Sequence, residues 1–451
     1  MAQARQSARC WELALLALLA LALRVAVVVA VPDAGIFADM EQYDGLARMV
    51  LDGRPWTDSF RGPVYPLFLA LLYALPGPDL LIARLGQAGV GAACAVLTTV
   101  LATTFVNRRG ALIAGLIVAV YPALVLSTIY LITEGLYTFL LVATLLAARR
   151  MNAVHAAAAG VVAALAALTR SIGVALVPAI VMSNMLQGWR ERRWSRPAAA
   201  SALLVLGCVV TLTPWLRHTS RVSGGLMLDS ASPYNVLIGN NPRATGRLEM
   251  TGGDWVIVTY LAGSVNEAER NRRAIGHSWA WITSNPRAWL SLVPVKAWNL
   301  YGLEGREHAW VYSIGYFGER RSATVWLWGV LLLASFPLLA TAATVGLFRP
   351  GLTRQSTGSQ FVVLIVLVTL LHIISFGESR FHLPLVPVLA VLAVRGVTRA
   401  ASTDQFTTLR SAACVVALLA LTVGWATQAP GLFQRLLRLT APGGWHSALQ
   451  Y

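Results

Sequence analysis

The sequence predicts an all-α polytopic membrane protein of about eleven transmembrane helices, with exoplasmic juxtamembrane helices and a small exoplasmic loop subdomain. Three observations predict it. Hydrophobic residues make up 57% of the 451 residues and charged residues 12%. Mean hydropathy is +0.63. The apolar residues are gathered into runs separated by short basic corners. Arginines supply nearly all of the basic charge behind the formal +16, and many of them fall in short clusters between apolar runs, which reads as topology and argues against nucleic acid.

In chain order, spans are expected at 11–31, 80–106, 110–128, 132–148, 153–168, 171–187, 198–216, 323–348, 358–376, 381–398 and 411–428. The first is read as an uncleaved span, because its apolar stretch is long and no clear small-residue cleavage site follows. Tyr121-Pro122 kinks the third. The run from Val64 to Leu75 holds about a dozen residues, short of the ~20 that a spanning helix needs, so it lies at the interface.

Charge supports that choice. If the run does not cross, Arg5/Arg9, Arg108-Arg109, Arg149-Arg150, the 190–196 cluster, Arg349/Arg354 and Arg395/Arg399/Arg410 share the N-terminal side, which is then cytoplasmic. The organisation is a transmembrane module over 1–216, containing a first exoplasmic loop at 32–79, then a loop subdomain over 217–322 and a second transmembrane module over 323–451. The four cysteines lie in or beside apolar segments, so no disulfide or cysteine-held metal is expected.

With that topology, the polar residues that look chemical share the outer face. The first loop reads FADMEQYDGLARMVLDGRPWTDSFRGPVYPLFLALLY from Phe37 to Tyr73. Asp39, Tyr43 and Ala47 are spaced by four and fall on one helical face. Asp52-Gly53-Arg54-Pro55 closes the helix, and Arg61-Gly62-Pro63 leads to Tyr65 and the interfacial run. The later outer corners carry Glu134 in STIYLITEGLYTFLL, Arg170 in AALTRSIGVALVP, and Glu378, Arg380 and His382 in SFGESRFHLPLVPVLAVLA.

The loop after Pro214-Trp215 contains Gly239-Asn240-Asn241-Pro242, which is turn chemistry. Its 267–301 stretch interleaves arginines with Ile275, Trp279, Ile282, Trp289 and Leu292 near helical spacing. That pattern suits helices resting at an interface.

These motifs, in this order, resemble the membrane glycosyltransferases that use polyprenyl-phosphate sugars, the GT-C fold. Within that group they are most similar to bacterial glycosyltransferase family 39, relatives of the protein O-mannosyltransferases and lipid A aminoarabinose transferases. The resemblance implies a polyprenyl-phosphate-linked sugar donor and an acceptor hydroxyl on a glycan, lipid or protein. It also implies inversion at the anomeric carbon and Asp39 as the base, because Asp39 matches the acid that opens the family loop. This chain has Asp39-Met40-Glu41 where the aminoarabinose-transferase relatives tend to have adjacent acids, so Glu41 competes for the same role.

Glu41 and Glu134 are candidates for positioning or metal contact. Arg61, Arg170 and Arg380 are candidates for phosphate, with Tyr43, Tyr65 and His382 around the substrate. Paired carboxylates suit Mg²⁺ or Mn²⁺, and no spacing demands either. No glycine-rich phosphate loop supports a nucleotide-sugar donor.

Plainer readings stand beside these. Arg170 can snorkel at the boundary, Glu134 can cap a helix, and His382 can be structural. Arg84 and Gln87 suit helix-to-helix hydrogen bonds. The functional rival is a transporter or flippase of lipid-linked sugar, which predicts polar residues at mid-membrane depth or on both faces.

Overall fold

A computed structural model describes residues 2–30, 36–57, 59–150, 152–248, 255–305, 322–398 and 408–441, and all regular structure among them is helical. Every expected apolar run forms a helix. The first half of the chain gives α1 (Ala2–Ala30), α2 (Asp39–Leu51), α3 (Val64–Tyr73), α4 (Leu80–Ala102), α5 (Arg108–Val120), α6 (Pro122–Leu126), α7 (Glu134–Ala147), α8 (Ala153–Thr169) and α9 (Leu176–Glu191). The second half gives α10 (Ser195–Val222), α11 (Ala231–Gly239), α12 (Glu267–Ser284), α13 (Pro286–Leu300), α14 (Ser322–Phe348), α15 (Ser356–Ile374), α16 (Val386–Thr398) and α17 (Thr408–Thr440).

Among the described residues, eight helices are long and apolar enough to cross a membrane. The number is nine if α5 and the Pro122–Ile129 segment, which meet at 52°, form one bent span. The other two expected spans are α7, with 14 residues, and α8, with 17; both fall below the usual spanning length of ~20. The ten-residue α3 is too short to cross, as its sequence indicated.

The bend falls at Tyr121-Pro122. Pro122 has no N–H to donate to Val118, so α5 ends with exposed carbonyls. Arg24, fully buried in α1, supplies the missing donors: Nη1 lies 2.9 Å from the Ala119 carbonyl oxygen and Nη2 3.3 Å from that of Val118. A cation at a helix C-terminus also complements the helix dipole.

Small residues set the packing of α8 on α10. A Cβ added at Gly160 would lie 2.0 Å from the Leu204 carbonyl oxygen, so the two backbones touch only because that side chain is absent. At the bundle end near the start of α1, Arg108 pairs with Glu12 at 2.6 Å and Arg149 donates to Thr104 at 3.2 Å. There Arg395 caps the end of α14 through the Gly346 carbonyl at 2.5 Å. Arg108, Arg149 and Arg395 are thus all engaged at this end of the bundle.

Candidate active site

The first loop is shaped by its backbone before its side chains matter. The Met40 N–H donates to the Phe37 carbonyl at 3.1 Å, and Ala38, inside that turn, has φ 49° and ψ −120°. An alanine there occupies a region that favours glycine, and such strain is held only by surrounding contacts. Asp39 follows at once, in the first turn of α2, where the helix dipole favours a negative charge.

The far end of α2 closes as its sequence implies. The Gly53 N–H donates to Val50 and the Arg54 N–H to Met49, with Gly53 at φ 66°. This six-to-one and five-to-two pattern is the glycine helix stop. Asp44 ties α2 to α3, accepting from Tyr73 Oη at 2.8 Å and pairing with Arg48 at 2.6 Å.

Five of the charged candidates form one connected cluster. Arg61 Nη2 donates to Asp39 Oδ1 at 2.6 Å, and Arg380 Nη2 stands 3.6 Å from Asp39 Oδ2. Arg380 Nε also pairs with Glu134 Oε1 at 2.9 Å, and Arg170 Nη1 donates to the same oxygen at 2.7 Å. Four separate corners of the sequence therefore meet at one end of the bundle.

The two acids differ in access: the Asp39 side chain is 32% exposed and that of Glu134 1%. Each arginine keeps partial access, at 17% for Arg61, 18% for Arg170 and 13% for Arg380. Three guanidiniums thus stand around two carboxylates, and the charge of a third, Glu378, also acts on Arg380.

Neighbouring side chains fix these groups. Arg61 donates from Nε to Gln42 at 2.9 Å and lies over the rings of Tyr43 and Phe60, at 5.2 and 4.9 Å from their centroids. Arg170 donates to Thr133 Oγ1 at 2.8 Å, and Phe381 lies beneath both Arg170 and Arg380 at 5.4 and 5.7 Å. Gln42, Thr133 and Phe381 were not singled out in the sequence. An exposed glutamine, a threonine and a phenylalanine carry no pattern of their own, and only their nearness to the acids would have flagged them.

Of the remaining candidates, Tyr43 adjoins the cluster beneath Arg61, and Tyr65, Glu41 and His382 make their contacts elsewhere. Tyr43 packs edge-on against Tyr65 at 4.9 Å, and burial holds its phenol above its ordinary value. Tyr65 is fully buried and donates to Gln87 at 2.8 Å; Gln87 in turn donates to the Thr128 and Tyr130 carbonyls at 3.1 and 3.0 Å. That makes Gln87 a helix-to-helix tie, and Arg84 does the same to Ile129 at 3.0 Å.

Glu41 is exposed on α2, on a different face from Asp39. His382 is fully buried: Nδ1 donates to the Leu300 carbonyl at 2.7 Å, Nε2 lies 3.2 Å from Glu304, and the ring stacks on Phe336 at 3.6 Å. It braces the end of α13. Asn240 and Asn241 are also buried, holding helix-end carbonyls.

Among the described residues no group of three or more His, Cys, Asp or Glu could hold a metal ion. Asp39 and Glu134 already face guanidiniums, which a cation would have to displace against like charge. The donor set therefore does not fit a divalent metal.

No protein-family model matches the chain, and no curated protein sequence does. Solved structures do resemble it. The archaeal oligosaccharyltransferase AglB from Archaeoglobus fulgidus, in complex with an inhibitory peptide and a dolichol-phosphate, is 13% identical with a TM-score of 0.53, over 96% of this chain and 58% of that one. The Archaeoglobus fulgidus oligosaccharyltransferase complex with Zn and sulfate is 14% identical with a TM-score of 0.52, over 92% and 52%.

ArnT from Cupriavidus metallidurans bound to undecaprenyl phosphate is 15% identical over 85% and 78%, and its TM-score of 0.41 is too low to bear on function. The chain is an all-α polytopic membrane protein with the GT-C fold. It spans only 58% and 52% of the two oligosaccharyltransferase chains it resembles.

Proposed function

We propose that the protein is a glycosyltransferase that moves a sugar from a polyprenyl-phosphate-linked donor to an acceptor hydroxyl on a glycan, lipid or protein. The observation that carries this reading is the cluster of Arg61, Arg170 and Arg380 around the accessible Asp39 and the sealed Glu134. The similar fold of AglB, solved with a dolichol-phosphate, supports the donor class.

In this reading the acceptor oxygen attacks the anomeric carbon as the bond from that carbon to the phosphate oxygen breaks. The configuration inverts, the acceptor proton passes to Asp39, and the lipid phosphate leaves as an anion. A carboxylate serves as base because the hydroxyl becomes acidic only as the new bond forms. The leaving phosphate takes the guanidinium faces that Asp39 and Glu134 hold in its absence, and planar forks suit it. Glu134 acts by keeping Arg170 and Arg380 in place.

The site faces the exoplasm of the plasma membrane and the N-terminus the cytoplasm, since the opposite end of the bundle carries the basic corners. The rival flippase reading expects polar groups at depth, and Arg24 is such a group. It is committed to the carbonyls freed at the Pro122 bend. Reconstituted protein should therefore release lipid phosphate from a labelled donor. Lipid-linked sugar crossing the bilayer intact, with no release, would support the rival.

A further inference from the structure

Two residues before Arg61, the chain is locked to a segment that lies more than two hundred residues further on. The Ser59 N–H donates to Glu267 Oε2 at 2.9 Å, and its hydroxyl reaches the same oxygen. Ser223 donates to Oε2 at 2.7 Å and Ser230 to Oε1 at 3.1 Å. The Ser230 N–H closes the ring on the Ser59 carbonyl at 2.8 Å.

Ser59, Ser223 and Ser230 are at most 2% exposed, so this is a built contact, not a surface one. Burial disfavours the Glu267 charge, but hydrogen bonds from Ser59, Ser223 and Ser230 outweigh it and hold its carboxyl below the ordinary range. On the other side of Arg61 the chain is equally confined. A Cβ at Gly62 would lie 2.2 Å from the Leu168 carbonyl oxygen, two residues from Arg170.

We infer that Glu267 is a positioning residue: through Ser59 it fixes Arg61 at the distance from Arg170 and Arg380 that a lipid phosphate requires. This rests on the phosphate reading above. Without the latch, Arg61 would keep its charge and lose its place, as a misplaced contact group does.

The test uses the full-length protein in detergent and undecaprenyl phosphate as the probe, with two independent readouts. In Glu267→Ala, amide hydrogen exchange over residues 59–61 should accelerate, and affinity for undecaprenyl phosphate should fall about tenfold. Adding Glu267→Ala to Arg61→Ala should weaken binding no further, because the two act through one contact. Glu267→Gln keeps the shape, serves if the alanine variant does not fold, and should give a smaller change in the same direction.

Unchanged exchange overturns the latch. Faster exchange with unchanged affinity overturns the positioning role, as does an equal loss in the Arg61→Ala background. Wild-type protein with no affinity for the probe overturns the phosphate reading and the positioning role with it, while the exchange result still decides whether the latch exists.

Discussion

Arg380 and Glu134 lie 2.9 Å apart, and that pair joins the last outer corner of the chain to the fourth apolar run. Glu134 is 1% exposed and also carries Arg170, so removing its charge leaves two guanidiniums facing each other. Breaking a buried pair in this way destabilises by about 3 kcal/mol. Glu134→Gln should lower the thermal midpoint of the purified protein by several degrees, and an unchanged midpoint would mean that the cluster is not held by this acid.

The three arginines should not tolerate lysine. A guanidinium presents a planar fork to phosphate, whereas an ammonium is a point charge on a flexible stem. Arg61→Lys, Arg170→Lys and Arg380→Lys should each weaken undecaprenyl phosphate binding by about tenfold or more, measured by titration in detergent. Wild-type affinity in all three would remove the phosphate role from the cluster.

Gly62 and Gly45 give a matched comparison. Gly62 abuts the Leu168 carbonyl, while nothing lies within 4 Å of a Cβ at Gly45 on α2. Gly62→Ala should destabilise by about 1–3 kcal/mol through overpacking, and Gly45→Ala should stabilise by about 0.5–1 kcal/mol. Denaturation midpoints of the two variants should therefore move in opposite directions.

Lys296, the lone lysine of the chain, is fully buried between the Asn240 side chain at 2.9 Å and the Ile373 carbonyl at 3.0 Å. Burial pushes its ammonium down to about 8. Between that value and the ~10.4 of a free lysine, the unfolded chain binds the proton that the folded chain has released. Stability should accordingly rise with pH across that window and be flat with respect to this group below it. Lys296→Met should abolish the rise, which thermal midpoints at pH 7.5 to 10 would show.

The positions of the helices and the identity of the charged groups were legible in the sequence; their pairing was not. Apolar runs and the Tyr121-Pro122 break follow from burial in lipid and from the missing proline N–H, both local properties. Asp39, Arg61, Glu134, Arg170 and Arg380 stood out because charge beside a bilayer is expensive. That Arg380 joins Asp39 to Glu134 depends on long-range packing that no local pattern encodes.

Glu41 drew notice through its nearness to Asp39, although two residues on a helix turn a side chain to another face. His382 sat in a promising motif and proved to brace α13. The Glu267 latch was invisible because scattered serines acquire meaning only when the fold gathers them.

Transfer of labelled sugar from a panel of polyprenyl-phosphate donors, comparing wild type with Asp39→Asn, tests the central claim most directly. The account predicts turnover by wild type and a loss of at least about a hundredfold in Asp39→Asn, with undecaprenyl phosphate binding retained. Full activity in Asp39→Asn would contradict the base assignment, and no turnover by wild type with any donor would contradict the glycosyltransferase reading itself.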